Sequence, residues 1–257
     1  MTTLNGRRRR RDPRNDLVLE FIRFVRGLRP KAVMLENVPR LARDRRRRRL
    51  VAALRDLGYR CTFAVLDVAD YGVAQRRRRF ILLAGRGKQI AFGDTSTSRR
   101  TVRDAFRELS PLAKFDPLHT LPETRSESVR RLIARIPKDG GSRTDLAKSR
   151  QLACHKRCDG FKDVYGRMAW DEVAPTITGG CCNPSKGRFL HPTRNRAITL
   201  REAALLQSFP PHYRFSLRRG KYPAAQMIGN ALPPEFVRRH AASVLKAVQK
   251  PRAGVSA

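Results

Sequence analysis

Lys31-Ala32-Val33-Met34-Leu35-Glu36-Asn37-Val38 is the stretch whose reading decides the fold. Four consecutive apolar residues, Ala32 to Leu35, follow a helix stop at Pro30 and end in a polar Glu-Asn pair. This pattern predicts a strand over 31–38, buried on both faces as in a parallel sheet. Upstream, Asn15 or Asp16 can cap a helix running to Leu28, with Leu17, Phe21, Phe24, Val25 and Leu28 as its buried face. Downstream, Arg45–Leu57 reads as a helix closed by Gly58, Tyr59–Val68 as a strand and Phe80–Ala84 as another. Strand, helix, strand is the rhythm of an open α/β sheet.

After Gly85 the texture changes. Residues 87–193 are poorer in apolar runs and richer in Gly, Pro, Ser, Thr and Arg, with one clear short helix over Ser126–Ile136. Gly140-Gly141 and Gly179-Gly180 mark loops. Regular structure returns at Ile198. Thr199 can cap a helix, Glu202 completes its capping box, and Phe209-Pro210-Pro211 end it. Pro233–Val248 is a final helix with Pro at its start. The expected division is 1–86, 87–193 and 194–257.

Charge narrows the partners. The 257 residues hold 56 Lys+Arg against 22 Asp+Glu, a net charge of +34. Such an excess repels itself unless a polyanion neutralises it, so nucleic acid is the first partner to consider. Aromatic residues are only 7%, and no stacking platform is visible, which leaves an RNA reading resting on charge alone. No stretch approaches the ~20 apolar residues of a membrane span, so no membrane partner is expected. The N-terminus is basic with no apolar region after it, unlike a signal peptide. Five Cys, an odd number, argue for a reducing compartment, and a cytoplasmic location is expected. Cys154-His155-x-x-Cys158 with Cys181-Cys182 is too irregular for tetrahedral zinc, so no metal is expected.

Several short motifs occur in a fixed order. They are Leu35-Glu36-Asn37-Val38, Gln75–Arg79, Pro175-Thr176-Ile177-Thr178, Thr199 to Ala204, and Gln226-x-x-Gly229-Asn230-Ala231-Leu232-Pro233-Pro234. In this order they resemble the second half of a DNA (cytosine-5) methyltransferase. The resemblance implies a partial Rossmann-like methyltransferase sheet plus a small loop-rich target-recognition lobe. It assigns 1–86 to the second half of the catalytic domain, 87–193 to the recognition lobe and 194–257 to a segment returning to the catalytic domain. A restriction–modification role is a family-level association.

The resemblance also assigns roles. Glu36 would hold the flipped cytosine at N3 and its exocyclic amine, and Arg79 would bond the cytosine O2. Arg77 joins this catalytic group, and Gln75 with Arg77 would organise the pocket and the DNA backbone. Thr176, Thr178 and Arg188 would contact DNA. Asn230 would lie near S-adenosyl-L-methionine, the implied cofactor. Attack at ring position 6 puts negative charge on the pyrimidine. A proton from Glu36 at N3 would stabilise it, which requires a pKa raised by burial. The base must leave the duplex to be reached.

The family's Gly-rich cofactor loop and Pro-Cys nucleophile have no counterpart in these residues. None of the five Cys follows a Pro. Met1 to Gly6 resembles residues that ordinarily follow Pro-Cys. The resemblance therefore implies double-stranded DNA as partner and a separate polypeptide carrying the N-terminal half, with an unpaired apolar sheet edge at 31–38. The alternative expectation is a non-catalytic, sequence-preferring DNA-binding remnant.

Overall fold

The computed structural model describes residues 16–109, 111–156 and 162–249. The basic loop over 1–13, the alternative cap Asn15 and Cys158 lie outside the described residues. The chain forms two units. The first holds the described residues up to Asp67, Arg78–Thr95 and those from Val237 onward. The second holds Val68–Arg77 and Ser96–Phe236. The breaks expected after 86 and 193 do not coincide with these boundaries.

The first unit contains α1 (Leu17–Leu28), β1 (Ala32–Asn37), α2 (Arg45–Asp56), β2 (Tyr59–Asp67) and β3 (Arg78–Arg86). The strands lie in the order β1-β3-β2, and both pairings are antiparallel. This corrects the expected parallel sheet. β1 buries only alternate residues, Val33 and Leu35, as a half-buried edge strand does. It is central β3 that is buried continuously, from Phe80 to Ala84. An apolar run marks burial but does not encode strand direction.

Val33, Leu35, Phe80, Leu82 and Ala84 share a core with α1 and α2. Leu50 and Leu54 of α2 are fully buried there. Each contributes about 1.5–3 kcal/mol relative to exposure. The buried face of α1 is Val18, Ile22 and Val25. The expected face is thereby corrected, since Leu17, Phe24 and Leu28 are exposed. Both stripes have helical spacing, and packing against α2 selects between them. Tyr59 donates its hydroxyl to the Pro30 carbonyl at 2.6 Å, tying the start of β2 to the turn before β1.

The second unit contains α3 (Val102–Arg107), α4 (Pro117–Thr120), α5 (Glu127–Arg135), α6 (Ala153–Lys156), α7 (Leu200–Leu206) and α8 (Lys221–Asn230). A last helix, α9 (Pro234–Val248), begins in it. The expected capping box opens α7. The Glu202 amide donates to Thr199 Oγ at 3.1 Å, and the Thr199 amide donates to Glu202 Oε2 at 2.8 Å. Every residue of α7 is buried, and its apolar side chains pack with Ala224, Ala225 and Ile228 of α8.

Arg167 organises the loops of this unit. It is fully buried, and its guanidinium makes five hydrogen bonds. The acceptors are the carbonyls of Ile133, Ile136, His191 and Arg194 and the Asn195 side chain. No carboxylate is among them, so carbonyl dipoles alone satisfy the five N–H groups.

Candidate base-holding and DNA-facing residues

In the first unit, antiparallel pairing sets Glu36 beside β3, opposite Ile81. Arg79 Nε lies 2.8 Å from Glu36 Oε1. The pair therefore joins the two residues expected to hold a pyrimidine edge. Burial pulls the Arg79 guanidinium below its ordinary pKa, while the Glu36 carboxylate works against that effect. The Glu36 side chain is 35% exposed. Deep burial, which proton delivery would require, is absent in the described structure. Exposed and paired, Glu36 is arranged as an acceptor.

In the second unit, Gln75 and Arg77 clasp the backbone of one residue. The Ile177 amide donates to Gln75 Oε1 at 2.9 Å, and Arg77 Nη1 donates to the Ile177 carbonyl at 2.8 Å. Gln75 Nε2 donates to Gln207 Oε1 at 2.6 Å, and Gln207 Nε2 donates to the Ile228 carbonyl at 2.6 Å. Gln75 and Gln207 are both fully buried. Gln75, expected at the DNA, thus spends its amide inside the protein. Its part is to fix Ile177, and so the threonines on either side of it. Gln207 completes the clasp, a part to which no motif in the sequence points. Its one signal is an amide side chain directly after α7, whose residues are apolar but for Arg201 and Glu202.

Thr176, Thr178 and Arg188 come together on a cavity of about 510 Å³. Arg76 and Lys186 also line it, two cations that the sequence reading did not single out. The Thr176 hydroxyl donates to the Arg76 carbonyl at 2.6 Å, and Thr178 is exposed. Arg188 Nη1 donates to the carbonyls of Gly140 and Arg167 at 2.7 and 2.9 Å. That guanidinium holds loops together as well as facing the cavity.

Asn230 ends α8 and is exposed. It is the sole cofactor residue that the resemblance supplies. A single exposed amide does not form a pocket for S-adenosylmethionine, so the described residues do not fit that group by themselves. Among the described residues, no group of three or more His, Cys, Asp or Glu could hold a metal ion. Cys181 and Cys182 belong to the apolar core, and burial pushes the Cys181 thiol up to about 12. No helix of the described residues is long and apolar enough to cross a membrane.

The family profile of C-5 cytosine-specific DNA methylases matches residues 4–246. The chain belongs to that family, whose members take their methyl group from S-adenosylmethionine. It is 36% identical over 243 residues to the type II methylase M.HgiDII of Herpetosiphon aurantiacus, covering 89% of this chain and 68% of that one. It is 34% identical over 241 residues to the type II methyltransferase M1.BsuMI of Bacillus subtilis, covering 91% and 55%. Thus the chain spans between about half and two thirds of these relatives' lengths. In fold it is similar to the S. pombe Dnmt2 methyltransferase, with a TM-score of 0.57, 16% identity and coverage of 92% and 74%.

Proposed function

We propose that these residues are the base-holding and target-recognition portion of a DNA (cytosine-5) methyltransferase. Glu36 and Arg79 hold the edge of a flipped cytosine. Gln75, Arg77 and Gln207 set the Thr176–Thr178 loop. The cavity bearing Thr176, Thr178, Lys186 and Arg188 faces the DNA. The observation that carries this reading is the Glu36–Arg79 pair at 2.8 Å, between two motifs that the family match spans. An arginine's fixed planar donors suit recognition of a carbonyl such as cytosine O2.

In this reading the 257 residues do not transfer methyl groups by themselves. The Pro-Cys nucleophile and the Gly-rich cofactor loop come from further polypeptide, on the same chain or a second one. The test is transfer of labelled methyl from S-adenosylmethionine to a mixed duplex DNA library. It is run with this chain alone and with an added polypeptide bearing those two elements. Transfer only by the pair is expected. A folded pair that methylates no DNA sinks the reading. Sequence-preferring DNA binding without transfer would instead favour the non-catalytic remnant, for which the +34 charge speaks.

A further inference from the structure

The start of α2 carries charge of the wrong sign for a helix. Amino-terminal amides present partial positive charge, so acids are favoured there and cations are disfavoured. Yet the helix opens with Arg45-Arg46-Arg47-Arg48-Arg49, has no acid in its first turn, and follows Arg43.

Two of these arginines have partners in the fold. Arg46 is buried and paired with Asp16 at 2.6 Å. Arg47 lies over the Phe63 ring at 4.9 Å. Asp44 caps the helix through the Arg46 amide at 2.9 Å. Both nearby acids are therefore committed to Arg46 and the cap. Arg43, Arg45, Arg48 and Arg49 are exposed and carry no ion pair among the described residues.

Their placement is not random around the helix. Positions 45, 48 and 49 are three and four residues apart, so they share one face, where like charges repel. That face lies opposite Leu50, Val51 and Leu54, which are buried. Like charges on this face disfavour the helix, offset only in part by the attraction of Arg45 and Arg49 to Asp16. A row of anions outside the protein would reverse that balance. Arg45 to Arg49 spans about 6 Å of helix. One strand of B-DNA offers a phosphate charge every ~3.4 Å along its axis.

We infer that Arg43, Arg45, Arg48 and Arg49 form a second DNA-contacting surface, which grips the phosphate backbone of duplex DNA without reading its sequence. It lies on the first unit, while the cavity-lining residues belong to the second. The inference rests on the proposed reading only in taking duplex DNA as the partner.

The test is equilibrium binding of the full chain to a mixed-sequence DNA duplex over a range of salt concentrations. Neutralising Z phosphates gives a slope of about −0.9Z in log K against log salt. The variant R43Q/R45Q/R48Q/R49Q should lower the magnitude of that slope by about 2 to 4. R43K/R45K/R48K/R49K should keep it, because only charge is required. R130Q/R131Q, which removes two α5 arginines already paired with Glu127, should change it little. The thermal midpoint of the glutamine variant should not fall, which separates lost binding from lost folding.

An unchanged slope in a folded glutamine variant overturns the inference and leaves the proposed function standing. So does a slope that falls for single-stranded RNA but not for duplex DNA. Absence of any DNA binding by the parent chain overturns both. Failure of methyl transfer with the predicted loss of slope overturns the proposed function alone.

Discussion

The backbones of Gly229 and Thr178 are in direct contact: a Cβ on the glycine would sit 2.2 Å from the Thr178 carbonyl carbon. No real Cβ tolerates that distance, and backbone cannot step aside as a side chain can. The end of α8 is thereby pressed onto the loop that presents the two threonines. Gly229→Ala should lower stability by about 1–3 kcal/mol, the usual cost of overpacking. Urea unfolding would measure it, and a midpoint equal to the parent's would refute the contact.

Arg167 predicts a larger loss. Replacing it with Met keeps much of the volume but strands four carbonyls and an amide oxygen. Each buried, unsatisfied group costs about 1–3 kcal/mol. Arg167→Lys should rescue little, because an ammonium cannot reproduce the five-donor fork. Both variants should fall by at least ~3 kcal/mol in denaturant unfolding. A lysine variant within 1 kcal/mol of the parent would remove the argument from geometry.

His191 makes the fold sensitive to acid. Burial pushes its pKa down to about 4, and Arg196, Arg194 and Arg167 act in the same direction against Glu202. Its Nδ1 accepts from the amides of Thr193 and Arg194 at 3.1 and 3.0 Å, so the ring is held neutral there. The unfolded chain takes up the proton near the ordinary 6.5, and the folded chain only near 4. The stabilisation is therefore complete above 6.5 and is lost as pH falls toward 4. The loss is up to ~3 kcal/mol at 1.36 kcal/mol per pH step. His191→Asn should flatten that part of the stability–pH curve, and an equally steep curve would assign the acid sensitivity elsewhere.

Glu36→Gln addresses chemistry rather than folding. On the proposed reading, in which Glu36 accepts a hydrogen bond from the cytosine edge, it should cut the methylation rate of the completed enzyme by about 10²–10³, the usual cost of losing one positioned polar group at the reacting centre. Thermal stability should fall only modestly, because the glutamine amide oxygen can still accept from Arg79 Nε and the Glu36 side chain is a third exposed. A rate within a factor of about three would remove Glu36 from the mechanism.

Local rules carried much of this structure. The capping box at Thr199 and Glu202 places the start of α7 to the residue, because its two hydrogen bonds lie within four residues of sequence. The stops at Pro30 and Gly58 bound α1 and α2 for the same reason. What escaped was settled at long range. Antiparallel pairing of β1 with β3 depends on partners more than forty residues apart. The α1 face was ambiguous because apolar residues occupy two stripes. Helix α8 is weakly amphipathic, with Pro223 in its first turn, and it forms because Ala224, Ala225 and Ile228 fill the core of the second unit. The clasp on Ile177 joins residues about a hundred positions apart, so the sequence points Gln75 toward DNA rather than into the protein.

Arg167 also bears on how such a protein can change. Its acceptors at Ile133 and Ile136 precede the segment 137–190, and those at His191, Arg194 and Asn195 follow it. Both ends of that stretch are fastened to one side chain. Segments between them can then lengthen, shorten or be exchanged while the fastening persists. Loops can thus be replaced on a retained hub, with no need to evolve a new fold.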